Sequence, residues 1–128
     1  MGQRILVIDD EPSIRWLLQE LLEDEGYEVD LATDGLDALG KLDQPCRVYD
    51  VILLDLTMPR MDGLQFLRVM QQRALDVSPS IIALSADVIA LQQAASMGMS
   101  NLLSKPFDLE ALLEMIRLGK KRRKECPC

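Results

Sequence analysis

Five short apolar runs, each stopped by polar residues and followed by a helix-like stripe, leave this chain few folds to choose from. The first run, Arg4-Ile5-Leu6-Val7-Ile8, is continuous and halts at Asp9-Asp10. An unbroken apolar run of this length reads as a strand covered on both faces, the habit of parallel sheets. Pro12-Ser13 then opens a helix in which Ile14, Leu17, Leu18, Leu21 and Leu22 form one stripe, and Gly26 closes it. Tyr27–Leu31 reads as a second strand. The run from Val48 to Leu56, with Val51-Ile52-Leu53-Leu54 at its heart, is the strongest strand signal. Ile81–Leu84 and Asn101–Ser104 give a fourth and a short fifth. Between them, Leu36, Leu39 and Leu42 mark a second helix. Leu64, Leu67, Val69 and Met70 after Gly63 mark a third, and residues 89–97, closed by Gly98, a fourth. Leu109, Leu112, Leu113 and Ile116 mark the last.

Strict alternation of strand and helix means an α/β parallel sheet with helices on both faces, because each right-handed crossover needs a helix. For 128 residues the expected architecture is one doubly wound (βα)5, flavodoxin-like three-layer sandwich with strand order 2-1-3-4-5. The expected unit is 1–118, followed by a basic tail or linker at 119–128.

Charge and composition narrow the function. Residues 1–118 carry a net charge of −11 and residues 119–128 a net of +4. An acidic body argues against direct nucleic-acid binding or an anionic membrane as partner. The sequence has no histidine, which removes histidine general bases, Ser-His-Asp and Cys-His sites, and histidine-ligated metals. Three cysteines (Cys46, Cys126, Cys128) make no disulfide framework, so a reducing cytoplasm is the expected setting. No apolar run approaches the ~18–20 residues that span a bilayer.

In a doubly wound sheet the site lies beyond the carboxyl ends of the strands. Strand one ends in Asp9-Asp10, strand three in Asp55 followed by Leu56-Thr57, strand four in Ser85-Ala86 and strand five in Lys105-Pro106-Phe107. Three carboxylates brought together repel, so a counter-charge is needed. A hard divalent cation with oxygen ligands supplies it. The expected ligands of Mg2+, for which Mn2+ can substitute, are Asp10, Asp55 and the Thr57 main-chain carbonyl, with Asp9 acting through a metal-bound water. A carboxylate beside Mg2+ and Lys105 can attack a phosphoryl group, with Ser85 donating to one of its oxygens. The expected product is an aspartyl phosphate on Asp55.

These segments together resemble a bacterial two-component response-regulator receiver domain over about residues 3–118. The motifs are Val7-Ile8-Asp9-Asp10-Glu11, Leu53-Leu54-Asp55-Leu56-Thr57-Met58-Pro59, Met61-Asp62-Gly63, Leu84-Ser85-Ala86 and Lys105-Pro106-Phe107. The resemblance implies that Asp55 takes phosphate from a sensor histidine kinase or a histidine phosphotransfer protein. It implies that Asp9 and Asp10 hold Mg2+, that Lys105 contacts the phosphoryl group and that Ser85 is the switch hydroxyl. Thr57 and Asp87 would tune dephosphorylation, and the peptide before Pro106 would be cis. Pro59 and Asp62-Gly63 would shape the loop after Asp55. Switching would alter the surface of the fourth helix, fifth strand and fifth helix. A downstream effector or output domain would read it, with the chain a monomer or a phosphorylation-dependent dimer. Such a chain is a phosphoacceptor switch that assists its own phosphorylation and dephosphorylation, and is no enzyme in the usual sense.

The pattern departs from the family at Leu102, where a Tyr or Phe normally stands three residues before the lysine. Leucine lacks the polar edge that prefers solvent in the off state, so a smaller surface change is expected. Met99 replaces a frequent alanine; gap filling with the nearby Met97 is the expected reason, and a soft partner-binding patch is the alternative. Trp16 lies about 200° around the first helix from Ile14 and is expected to be exposed.

Other functions fit less well. A haloacid-dehalogenase-type phosphatase needs a second acid two residues after its nucleophile, where this chain has Thr57. A flavodoxin needs a Ser/Thr-rich phosphate loop, and Asp9-Asp10-Glu11 would repel the phosphate. A receiver-like interaction domain that takes no phosphate is the remaining alternative, although every residue the chemistry needs is present.

Overall fold

The computed structural model describes residues 3–44, 48–58, 61–73 and 79–118, and in it every apolar run becomes a strand and every stripe a helix. The order is β1 (Arg4–Ile8), α1 (Pro12–Asp24), β2 (Glu28–Ala32), α2 (Gly35–Leu42), β3 (Val51–Asp55), α3 (Gly63–Gln72), β4 (Ser80–Ser85), α4 (Val88–Ser96), β5 (Leu102–Ser104) and α5 (Leu109–Leu118). Cys46, Pro59 and the basic tail with Cys126 and Cys128 lie outside the described residues.

All strand pairs are parallel and the order is β2-β1-β3-β4-β5, the doubly wound arrangement expected from the alternation. Side chains alternate across a strand, so each run feeds two cores. Leu6, Ile8, Ile52, Leu54 and Ala83 face α2, α3 and α4, meeting Ala38, Phe66, Leu67, Met70, Ala90 and Ala94. Ile5, Val7, Val51, Leu53, Ile82 and Leu84 face α1 and α5, meeting Leu18, Leu22, Leu112, Leu113 and Ile116. Burial on both faces explains why the runs are apolar throughout rather than alternating. Met97 and Met99 pack partly buried against the first of these cores, in keeping with gap filling.

Local departures from the sequence pattern have physical causes. The second strand starts at Glu28, not Tyr27, because the Tyr27 N–H closes α1 by donating to the Leu22 carbonyl at 3.1 Å. That closure needs Gly26, whose φ is +93°. In α1 the residues that reach the sheet are Leu18 and Leu22, and Leu17 stays 47% exposed. In α2, Leu36 is 49% exposed while Gly35 and Ala38 are buried. A Cβ on Gly35 would lie 2.7 Å from Met61 Cγ and 2.9 Å from the Met61 carbonyl oxygen. Small residues thus let α2 approach the β3–α3 loop, and the leucine between them turns to solvent.

The register sets the site. Ile8 pairs with Leu54, Asp55 with Leu84 and Ser85 with Ser104. Four strands therefore run out of apolar sequence at nearly the same level, and their next residues share one edge.

Candidate functional site

Asp9 is the first residue past β1, and it is 1% exposed. Its N–H donates to the Ala32 carbonyl at 3.1 Å, extending the ladder to β2. Both of its carboxylate oxygens are engaged. Oδ1 accepts from the Glu11 N–H at 2.9 Å, and Oδ2 accepts from Lys105 Nζ at 3.2 Å. Asp10, next in the chain, is exposed. Asp55 closes β3 and is 5% exposed. Its Oδ1 accepts from the Thr57 N–H at 3.2 Å and lies 3.7 Å from Lys105 Nζ.

One lysine thus spans two acids, while Asp9, Asp10 and Asp55 each place a carboxylate oxygen within 4.8 Å of the others. Burial pushes the Asp55 carboxyl up to about 6 from an ordinary 3.8. The negative charge of Asp9 adds to the rise, the Thr57 N–H and Lys105 oppose it, and Asp10 reinforces it. The donor set is all oxygen, anionic, and short of positive charge. Those features suit a hard divalent cation and give no soft or nitrogen ligand that would favour another metal.

The backbone around the acids is held closely. A Cβ on Gly63 would lie 2.5 Å from Leu56 Cα and 2.6 Å from the Asp55 carbonyl oxygen, so only glycine lets α3 start against the end of β3. Gly63 also donates its N–H to the Leu56 carbonyl at 3.1 Å. Asp62 caps α3 reciprocally with Gln65. On the far side, the Lys105 N–H donates to the Ser85 carbonyl at 2.9 Å, and the Lys105–Pro106 peptide is cis.

Ser85 is buried, and its Oγ accepts from the Asp87 N–H at 2.9 Å. Asp87 in turn caps α4, its carboxylate accepting from the Ile89 N–H at 2.9 Å. The structure therefore gathers Asp9, Asp10, Asp55 and Lys105 directly. It puts Thr57, exposed, beside Asp55, and ties Ser85 to the start of α4. Leu102 sits half-buried on β5 against the α4-side core. Trp16 is 61% exposed.

Sequence reasoning passes over Arg15. Its Nη1 reaches back from the first turn of α1 to the Asp9 carbonyl at 2.7 Å. Contact with a main-chain carbonyl depends on no particular residue type at its partner, so the sequence carries little trace of it. The available signal is a cation at the end of a helix where the dipole disfavours one.

Comparison with known proteins agrees with this geometry. Residues 5–117 match the family model for the response regulator receiver domain. The transcriptional regulatory protein DltR of Streptococcus agalactiae is 35% identical over 115 residues, 90% of this chain and 50% of DltR. The response regulator MprA of Mycobacterium tuberculosis is 37% identical over 127 residues, 97% of this chain and 53% of MprA. The chain thus spans about half the length of these curated relatives. Among solved structures, the response regulator TrrA of Thermotoga maritima in complex with Mg2+-BeF superposes with a TM-score of 0.79. It is 36% identical, and the match covers 91% of this chain and 98% of that one. Strand order, acidic strand ends and a family match over nearly the whole described length lead to one assignment: this chain belongs to the response-regulator receiver domains of two-component signalling.

Proposed function

We propose that this chain is a phosphorylation-controlled switch that accepts a phosphoryl group on Asp55 from a phosphohistidine of a sensor histidine kinase or phosphotransfer protein. The observation that carries the reading is the crowding of Asp9, Asp10 and Asp55 within 4.8 Å, with Lys105 bridging two of them. Asp55 Oδ attacks phosphorus, the P–N bond to the donor imidazole breaks, and its electron pair returns to the ring nitrogen. Asp10, Asp55 and the Thr57 carbonyl would hold Mg2+ directly, with Mn2+ able to replace it. Asp9, whose two oxygens already have partners, would hold it through water. The bound cation supplies positive charge that keeps Asp55 ionised and offsets charge on the transferring oxygens. Lys105, 3.7 Å from the Asp55 carboxylate, supplies the second positive charge. The absence of histidine from the chain fits a donor on another protein. An apolar groove of about 500 Å3 between α1 and the β5–α5 turn, lined by Leu17, Leu21, Pro106 and Phe107, opens beside Lys105. It suits the apolar face of such a donor.

The switch follows from what holds Ser85. Turning its hydroxyl toward a phosphoryl group on Asp55 breaks the bond to the Asp87 N–H and loosens the cap of α4. Asp87 and Thr57 tune loss of the phosphate, and Leu102 replaces the usual aromatic, so the α4–β5–α5 surface changes less than in aromatic-bearing relatives. A large displacement of Leu102 on adding beryllofluoride would overturn that last point. Residues 1–118 act as the acceptor unit in the cytoplasm, with 119–128 a basic tail. An output domain or separate effector reads the switch, with the chain a monomer or a phosphorylation-dependent dimer. Among the described residues no helix is long and apolar enough to cross a membrane.

Labelling with acetyl phosphate or phosphoramidate in Mg2+, read by intact mass, tests the acceptor. A gain of one phosphoryl group is expected in the wild type and none in Asp55→Asn. No gain with any donor would leave the phosphate-free interaction domain as the better reading.

A further inference from the structure

We propose that Arg15 is a positioning residue for the divalent cation: it fixes the Asp9–Asp10 peptide, and through it the direction in which Asp10 presents its carboxylate. The inference rests on the Mg2+ site proposed above.

The β1–α1 turn is poorly secured by its own helix. Glu11 stands at the N-cap but makes no side-chain cap bond, Pro12 at the first helical position has no N–H, and the first turn holds no acid. Two side chains tie the turn instead. The Asp9 carboxylate accepts from the Glu11 N–H at 2.9 Å, and the Arg15 guanidinium donates to the Asp9 carbonyl at 2.7 Å. That carbonyl shares a rigid plane with the Asp10 N–H. Gripping it sets the rotation of the peptide that leads into Asp10 Cα. Asp10 is the exposed member of the acidic trio, so no packing of its own side chain orients it.

The location of the arginine is costly in local terms. A cation in the first turn opposes the helix dipole, and a residue that breaks a local rule calls for a compensating gain elsewhere. Helical side chains point back toward the N-terminus. Arg15 is therefore well placed to reach the turn, and its bond to a neutral carbonyl is of the strong charge-assisted kind. Lys105 cannot take over this task, because its contacts are with the carboxylates of Asp9 and Asp55.

Two effects of removing Arg15 have opposite signs, which makes the proposal decidable. Loss of a positive charge beside an anionic site favours cation binding. Loss of positioning weakens it. We therefore expect Arg15→Met to raise the Mg2+ dissociation constant about tenfold, the scale on which residues that orient metal ligands act. Arg15→Lys, which keeps the charge and one donor, should recover most of the loss. Isothermal titration of the full chain with MgCl2 measures both, beside urea melts in EDTA that report folding without the cation. Arg15→Gln, which keeps an N–H donor but neither charge nor reach, replaces Arg15→Met if that variant does not fold, and should weaken binding in the same direction. Mg2+ binding as tight as wild type, or tighter, in either folded variant overturns the proposal. A merely structural arginine would lower the urea midpoint and leave the dissociation constant alone. Asp10→Ala separates the two levels of inference. If the wild type binds no Mg2+, or binds it equally well without Asp10, the cation site fails and Arg15 falls with it. If Asp10→Ala abolishes binding and the Arg15 variants do not weaken it, the site stands and Arg15 alone is wrong.

Discussion

At the amino end of the sheet, Arg4 and its neighbours form a polar cluster whose acids are matched by hydrogen-bond donors; at the carboxyl end, three acids crowd around one lysine. In the first, the Arg4 N–H donates to Asp50 Oδ2 at 2.9 Å and its Nη1 meets Asp30 at 3.2 Å. The Tyr49 hydroxyl donates to the same Asp30 oxygen at 2.6 Å. Acids there meet donors, Glu28 included at 3.5 Å from the Arg4 guanidinium, and Tyr49 and Asp50 are nearly closed to water. In the second, Asp9, Asp10 and Asp55 crowd together around Lys105, and Asp55 is pushed up to about 6. The difference separates a polar cluster that holds the fold from one kept in tension. Acids crowded within 4.8 Å of one another, one of them pushed up by burial, suit a hard cation.

The largest expected effect comes from supplying the missing charge. Mg2+ at about a hundred times its dissociation constant should stabilise the wild type by about 2.7 kcal/mol, the linkage for a ligand that binds only the folded chain. Urea melts with and without EDTA measure it, and Trp16, one residue beyond Arg15 and 61% exposed, should report binding by fluorescence. Asp10→Ala should lose both the stabilisation and the fluorescence change. Tyr49→Phe, at the other end of the sheet, should keep them. Stabilisation that survives in Asp10→Ala would mean that the cation binds elsewhere and that the contrast between the two ends is misdrawn.

Damage to the matched cluster should be somewhat smaller and of opposite character. Asp30→Ala takes the shared acceptor from Arg4 Nη1 and the Tyr49 hydroxyl and leaves the guanidinium its 3.5 Å contact with Glu28, and removing one partner of a part-buried network costs about 2 kcal/mol. The urea midpoint should fall accordingly, while Mg2+ affinity and phosphoryl labelling of Asp55 stay as in the wild type. A loss of labelling in a folded Asp30→Ala chain would show the two ends to be coupled.

How much of this is legible in the sequence follows from the same contrast. Strand positions are readable because burial on both faces leaves runs such as Val51–Leu54 without any polar residue. Asp9, Asp10, Asp55, Ser85 and Lys105 are readable as the polar residues that end those runs, once parallel order brings the ends together. Their gathering at one edge needs only topology. The matched cluster is harder to see. Its pairs span 19 to 46 residues in the chain, and Tyr49 and Asp50 look like the ragged start of a strand rather than a buried anchor. Arg15 escapes because it binds main chain. Leu17 and Leu36 mislead because periodicity tells which residues share a stripe, not how far each neighbouring element reaches over it. The close approach of Gly35 to Met61 decides that at α2.

The smallest effect tests the tension itself. With a folded-state value of about 6 against 3.8 for the free side chain, the native chain binds more protons than the unfolded chain between those two pH values. By linkage, this carboxyl makes the fold less stable as pH rises from about 4 to about 6, and the penalty is full above 6. Asp55→Asn removes the charge but keeps the shape, so it should be more stable than the wild type at pH 7.5 in EDTA. Solvent at the mouth of the site screens the interaction, and the gain is expected to be about 1–2 kcal/mol rather than the full linkage value. At pH 4 the wild-type carboxyl is protonated and the gain should shrink toward zero. Urea midpoints for both proteins at the two pH values give the comparison. Asp55→Asn less stable than wild type at pH 7.5 would mean that Lys105 and the Thr57 N–H satisfy the ionised carboxylate after all. The carboxyl end would then be as well matched as the amino end, and its need for a cation would have to come from the phosphoryl group rather than from the acids.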